Sequence, residues 1–226
     1  MPTELDSFPF HAIFWDMDGT LLDSEPIWIS EERRLMNSMG VEWTEADSLE
    51  CLGGPMERVD SYMRKRAGNI HKPFELAEQL YQRMVLRLAE GVDFLPGARE
   101  LIADLQLGKI PLALVSASTR EIMDAALRSI DPHPFNTTIS ANDVRKTKPH
   151  PEGYLLAADR IGVEIQNCLI IEDSVTGMTA AIDSGAYVLG IPHAVSLPSG
   201  AKVIQRPTLS GLTRNSIASL FSEIIG

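Results

Sequence analysis

Short, unbroken apolar runs recur along this chain and are separated by stretches of two different periods. The first run, Ala12-Ile-Phe-Trp15, has the length of a buried strand and stops abruptly at an acid. Between residues 25 and 90 the apolar positions change to helical spacing. Ile27, Glu31, Leu35 and Met39 fall along one helix that stops near Gly40. Met56 to Arg66 predicts a second helix, and Pro73 to Ala89 a third. Pro73 suits a first turn, and Leu76, Leu80, Met84 and Leu88 recur every four residues. Turns at Gly53-Gly54-Pro55 and Gly68-Asn69 divide this block, and no strand pattern interrupts it.

From Leu95-Pro96-Gly97 onward, helices and strands alternate. Helices are predicted near Ala98–Leu107, Thr119–Ser129, Pro151–Ile161, Val175–Asp183 and Asn215–Ile225. Strands are predicted at Pro111–Val115, weakly at Thr137–Ile139, then at Cys168–Ile171 and Tyr187–Ile191. Apolar strands alternating with amphipathic helices predict an α/β fold, a doubly wound parallel sheet covered on both faces. The helical block is then an insertion after the first strand. The expected division is a core of residues 1–23 and 95–226 with an all-helical insert of residues 24–94, hinged near Asp23–Pro26 and Asp93–Gly97.

Composition narrows the function classes. The 226 residues suffice for one core plus an insert, and 44% hydrophobic with 23% charged content is ordinary for a globular chain. A net charge of −11 disfavours nucleic acid and anionic membrane as partners. No apolar run has the length needed to span a bilayer, and MPTELDSFPF lacks a secretory signal pattern. Two cysteines, Cys51 and Cys168, cannot build a disulfide framework, and Cys168 in its apolar run reads as a small buried thiol. The expectation is a cytoplasmic protein, monomeric by default. An anionic small molecule must meet a local cation or metal here, because the overall field repels it.

Four strand ends and loops offer chemistry. Asp16-Met17-Asp18-Gly19-Thr20 places two carboxylates at the carboxyl end of the first strand, where open α/β sheets bind ligands. That spacing suits a magnesium site and a carboxylate nucleophile; read alone, it also suits an acidic turn. Ser116-Ala117-Ser118 follows the next strand, with a hydroxyl and backbone N–H groups able either to cradle phosphate or to cap a helix. In Lys146-Thr-Lys148-Pro-His-Pro151 the prolines stiffen the loop that carries Lys148, a residue able to neutralise a carboxylate and a phosphoryl group. His150 has no metal-ligand spacing and reads as structural. Glu172-Asp173-Ser174 ends a further apolar strand in adjacent acids, and Ser174 can cap the next helix.

The order of these motifs resembles that of the haloacid dehalogenase superfamily. Asp23-Ser-Glu-Pro26, Leu95-Pro-Gly97, Lys148-Pro-His-Pro151 and Glu172-Asp-Ser174 resemble its β-phosphoglucomutase and sugar-phosphate phosphatase branch. The resemblance covers nearly the whole chain. It implies a Rossmann-like core with a helical cap, and a Mg²⁺-dependent phosphatase acting on a small phosphorylated metabolite such as a sugar phosphate. By this resemblance Asp16 is the nucleophile that becomes an aspartyl-phosphate, and Asp18 is the general acid and base. Ser116 and Ala117 bind the phosphoryl group together with Lys148. Asp16, the carbonyl of Asp18, Asp173 and Glu172 (directly or through water) hold the metal. An aspartate at position 18 argues for phosphate esters over carbon–halogen substrates, since an alkoxide leaving group needs a proton. In the cap, Cys51-Leu-Gly53-Gly54-Pro-Met-Glu57-Arg58 resembles the specificity loop, but Pro55 or Met56 stands where mutases commonly carry arginine. Hydrolysis is therefore favoured over mutase transfer, with a catalytically silent phosphometabolite binder as the third reading.

Overall fold

The computed structural model describes residues 8–51, 55–193 and 196–225. The apolar runs become the strands β1 (Ala12–Trp15), β2 (Leu112–Val115), β3 (Thr137–Ile139), β4 (Cys168–Glu172) and β5 (Tyr187–Gly190), joined by β6 (Val203–Gln205). They form one sheet in the order β3-β2-β1-β4-β5-β6 with every neighbouring pair parallel. Each residue of β1, β2 and β4 is buried. A strand covered on both faces has no polar side to alternate with, which is why these segments read as continuous apolar runs.

The helices are α1 (Glu25–Ser38), α2 (Glu45–Cys51), α3 (Met56–Arg66), α4 (Glu75–Glu90), α5 (Ala98–Leu107), α6 (Arg120–Arg128), α7 (Glu152–Ile161), α8 (Val175–Ser184) and α9 (Arg214–Ile225). On one face of the sheet, Phe14, Val115 and Ile170 pack with Tyr154 and Ala157 of α7 and with Met178 and Ala181 of α8. On the other, Phe221 of α9 meets Phe10 and Tyr187 edge to face, with ring centres 5.3 and 6.0 Å apart. Strand order reverses direction at β1, because β2 and β3 extend to one side and β4 to β6 to the other. In doubly wound sheets that reversal opens a crevice at the carboxyl ends of the strands.

The chain divides into two compact units. One comprises the residues up to Asp23, Asp93–Met123 and everything from Pro132; the other comprises Ser24–Val92 with Asp124–Asp131. The sheet lies in the first. Where the chain leaves it and returns, Asp23 N–H donates to the carbonyl of Asp93 at 2.9 Å and Leu95 N–H to that of Leu21 at 3.0 Å. Leu22 and Phe94 form an antiparallel bridge between these two contacts.

In the helical unit, α4 buries Leu76, Leu80, Met84 and Leu88 as their spacing predicts. The helix starts at Phe74, in left-handed conformation, without a side-chain cap of its own. Asp60 of α3 takes over that job, accepting from Phe74 N–H at 2.9 Å and Ala77 N–H at 3.1 Å. The face of α1 differs from the expected stripe: it buries Glu31, Glu32, Leu35 and Met36, while Ile27 and Met39 are half-buried. Both cysteines are free and buried, and burial pushes the Cys168 thiol up to about 12.

Candidate active site

Asp16 follows β1 directly. Its N–H donates to the carbonyl of Ile171 at 3.1 Å, so the ladder with β4 fixes the backbone one residue beyond the strand. The chain then folds back tightly: Leu21 and Leu22 N–H both reach the carbonyl of Met17, at 3.1 and 2.9 Å, and Gly19 N–H reaches Leu22 at 3.0 Å. Gly19 sits at φ +80°, and a β-carbon there would fall 2.3 Å from Asp173 Oδ2. Glycine is required at this turn on both counts.

The β2 end contributes Ser116 and Ser118. Ser116 N–H continues the ladder to Ile139 at 2.9 Å, and its Oγ accepts from Ser118 N–H at 2.9 Å. The Ser118 hydroxyl donates to Asp18 Oδ2 at 2.9 Å, with Ser116 Oγ 3.5 Å from the same oxygen. Ser118 therefore orients the second acid of the opening motif. Ala117 between them is exposed.

Lys148 arrives from the loop between β3 and α7. That loop is tied down: the N–H groups of Arg145 and Lys146 donate to the Glu152 carboxylate at 2.9 and 3.1 Å, and the Lys148–Pro149 peptide is cis. His150 accepts from Glu152 N–H at 3.2 Å, the structural role expected of it. The Lys148 ammonium has three donors, and all three are committed: to Asp16 Oδ1, to Glu172 Oε1 at 2.7 Å and to the carbonyl of Val115 at 2.8 Å.

Glu172 is fully buried. Its Oε1 accepts from Lys148 and from the Tyr154 hydroxyl, each at 2.7 Å. Its Oε2 accepts from Asp173 N–H at 3.1 Å, Ser174 N–H at 3.3 Å and Ser174 Oγ at 3.2 Å. Ser174 also caps α8 through Gly177 N–H at 3.0 Å. Asp173 Oδ1 accepts from Thr20 Oγ1 at 3.0 Å, and His193 Nε2 lies 2.7 Å from the carbonyl of Gly19. Sequence reasoning missed the site roles of Thr20, Tyr154 and His193. For His193 a signal existed, because it follows β5 at the same carboxyl edge as the other groups.

The charges do not balance. Three carboxylates, Asp16, Glu172 and Asp173, bring ligand oxygens within 4.8 Å of one another around a single ammonium. Burial, followed by the Glu172 charge, pushes the Asp173 carboxyl up to about 7. Burial likewise raises Asp16, against the pull of Lys148. Lys148 is raised well above its ordinary value, because Asp16 and Glu172 outweigh the cost of burying its charge. An all-oxygen donor set with surplus negative charge fits a hard divalent cation. The residues present therefore fit the magnesium that the motifs imply.

Four of the predicted side chains, Asp16, Lys148, Glu172 and Asp173, thus meet at one place, with Asp18 and Ser116 linked at the neighbouring strand end. Glu57 and Arg58 are exposed on α3 of the helical unit. Gly53 and Gly54 lie outside the described residues.

Comparison with known proteins identifies the family. The family model described as haloacid dehalogenase-like hydrolase matches residues 13–191. The chain is similar to hexitol phosphatase B of Escherichia coli, 31% identical over 205 residues that cover 89% of this chain and 92% of the relative. It is also similar to a phosphorylated carbohydrates phosphatase of Thermotoga maritima, 27% identical over 95% of this chain and 99% of that protein. Among solved structures, CbbY from Rhodobacter sphaeroides in complex with phosphate superposes with a TM-score of 0.73 at 26% identity, covering 90% of this chain and 96% of that one.

Proposed function

Because this chain belongs to the haloacid dehalogenase-like hydrolase family and is a phosphoric monoester hydrolase, we propose that it hydrolyses a small sugar phosphate through an aspartyl-phosphate formed on Asp16. The observation that carries this reading is Lys148, which spends its three donors on Asp16, Glu172 and the β2 end. It holds the first acid of the opening motif at a fixed place in the sheet, as a nucleophile requires.

In the first step Asp16 Oδ attacks phosphorus while the bond from phosphorus to the ester oxygen breaks. Asp18 delivers a proton to that oxygen, so the sugar leaves as an alcohol. In the second step Asp18 takes a proton from water as the water oxygen attacks the phosphorus, and inorganic phosphate leaves with Asp16 restored. Ser116 and the backbone N–H of Ala117 are assigned to the phosphoryl oxygens, and Lys148 to offsetting charge between them and Asp16. A magnesium ion held by Asp16, the Asp18 carbonyl, Asp173 and Glu172 (directly or through water) would supply charge neutralisation and orientation.

The sugar class is supported by the two phosphatase relatives, whose names specify a hexitol and phosphorylated carbohydrates. Selection among sugars is assigned to the helical insert of residues 24–94, Glu57 and Arg58 included, and the chemistry to the core of residues 1–23 and 95–226. The decisive experiment is a panel of phosphate esters assayed with Mg²⁺ for phosphate release. Release by the wild type and none by Asp16→Asn is expected. Conversion of β-glucose 1-phosphate to the 6-phosphate without release would indicate a mutase, and tight binding without turnover would indicate a silent binder.

A further inference from the structure

Tyr154 takes no part in the steps above. It stands near the start of α7, fully buried, with its ring in the apolar layer between that helix and the sheet. Its hydroxyl donates at 2.7 Å to Glu172 Oε1, the same oxygen that accepts from Lys148 Nζ at 2.7 Å. The Lys148 ammonium lies 5.0 Å from the centre of the Tyr154 ring.

We propose that Tyr154 is a positioning residue for the phosphatase reaction, locking Glu172 and through it holding Lys148 against Asp16. The two oxygens of Glu172 are held by different means. Oε2 is gripped by donors of its own turn, Asp173 and Ser174. Oε1 is gripped by Lys148 and Tyr154. Lysine ends a flexible four-carbon stem, whereas tyrosine has two rotatable side-chain bonds and a ring packed in the core. The phenol is the rigid partner in this trio. A phenol ordinarily titrates at about pH 10, so it is a donor through the physiological range. Without the hydroxyl, Oε1 loses its stiff donor and is met only by the flexible Lys148 stem, so the contact that holds the ammonium against Asp16 loosens while Oε2 stays gripped by its own turn.

This inference rests on the phosphatase reading, and the test separates the two. Tyr154→Phe keeps the ring and removes only the hydroxyl. With a sugar phosphate and Mg²⁺, kcat should fall by about tenfold or more, while KM stays within about twofold because Tyr154 meets no substrate. In a Glu172→Gln background the same change should cost less than about twofold, since the hydroxyl acts through the carboxylate. Ala157→Gly, on the same buried face of α7, serves as the control for lost packing and should leave kcat unchanged at a comparable loss of Tm. Wild-type kcat in Tyr154→Phe, losses that multiply with Glu172→Gln, or an equal kcat loss in Ala157→Gly would each overturn the inference alone. A wild type that releases no phosphate from any ester would overturn the phosphatase reading and this inference with it.

Discussion

The Glu172 carboxylate fills the space in which Gly177 would carry a β-carbon: an ideal Cβ there falls 1.8 Å from Oε1 and 2.1 Å from Oε2. The first turn of α8 thus packs its bare backbone against the most heavily hydrogen-bonded acid of the site. Alanine is ordinarily better than glycine inside a helix, by about 1 kcal/mol. Here Glu172 cannot yield without releasing Lys148 and Tyr154, so Gly177→Ala should instead destabilise by about 1–3 kcal/mol and lower turnover. Thermal unfolding decides it: a Tm equal to or above the wild type contradicts the packing.

Asp18 is held by Ser118 and is the only proposed proton donor to the leaving group. Asp18→Asn keeps a polar side chain of the same shape but cannot shuttle the proton. Turnover of a sugar phosphate, whose alkoxide needs protonation, should fall by about 10²–10⁴-fold. Turnover of p-nitrophenyl phosphate, whose leaving group is stable as an anion, should suffer much less in its first step. Equal losses in single-turnover release of the two leaving groups, which reads the first step alone, would remove Asp18 from the acid role.

Lys148→Met leaves two buried carboxylates, Asp16 and Glu172, without their cation. Breaking a buried pair from one side costs about 3–5 kcal/mol. Asp16 is already raised by burial, and losing Lys148 raises it further. The folded variant then holds a proton that the unfolded chain releases, so its stability falls as pH rises above the ordinary carboxylate range. Denaturant titrations of the metal-free protein should show a larger deficit at about pH 8 than at about pH 5. A deficit independent of pH would contradict this account.

In the helical unit, Glu32 is buried, its Oε2 has no hydrogen-bond partner among the described residues, and burial, opposed by Trp43, raises its carboxyl from 4.5 to about 7. A raised carboxyl binds its proton more tightly in the folded state, so stability is fully present below pH 4.5 and is lost as pH rises to about 7. The loss amounts to at most about 3 kcal/mol. Glu32→Gln, which cannot ionise, should therefore match the wild type at low pH and exceed its stability at about pH 8. Parallel pH–stability curves for the two proteins would show that Glu32 is not the group responsible.

The sequence was most legible where one physical demand acted alone. Fully buried strands leave unbroken apolar runs, so β1, β2 and β4 were readable to within a residue or two. β6 was not: its residues 203–205 form a three-residue edge strand, part exposed, with no apolar run to announce it. α2 escaped for the opposite reason, since it buries Asp47, Ser48 and Cys51 and so has no apolar stripe. Asp47 is satisfied there by its neighbour Thr44 and by Tyr62 and Arg66, the last two being distant partners that no local pattern reveals. In the site, Asp16, Lys148, Glu172 and Asp173 were readable because charge at a strand end is conspicuous. Tyr154 was not, because an aromatic at helical spacing looks like core, and in this fold its ring is core while its hydroxyl is not.

The hydrogen bonds that join Asp23 to Asp93 and Leu21 to Leu95 bring the ends of the excursion to neighbouring backbone positions. Topologically, the sheet unit treats everything between them as a hairpin tip. Closing such a loop costs entropy that grows only with the logarithm of its length. Closure entropy therefore sets little limit on the length of chain that this two-stranded socket can carry.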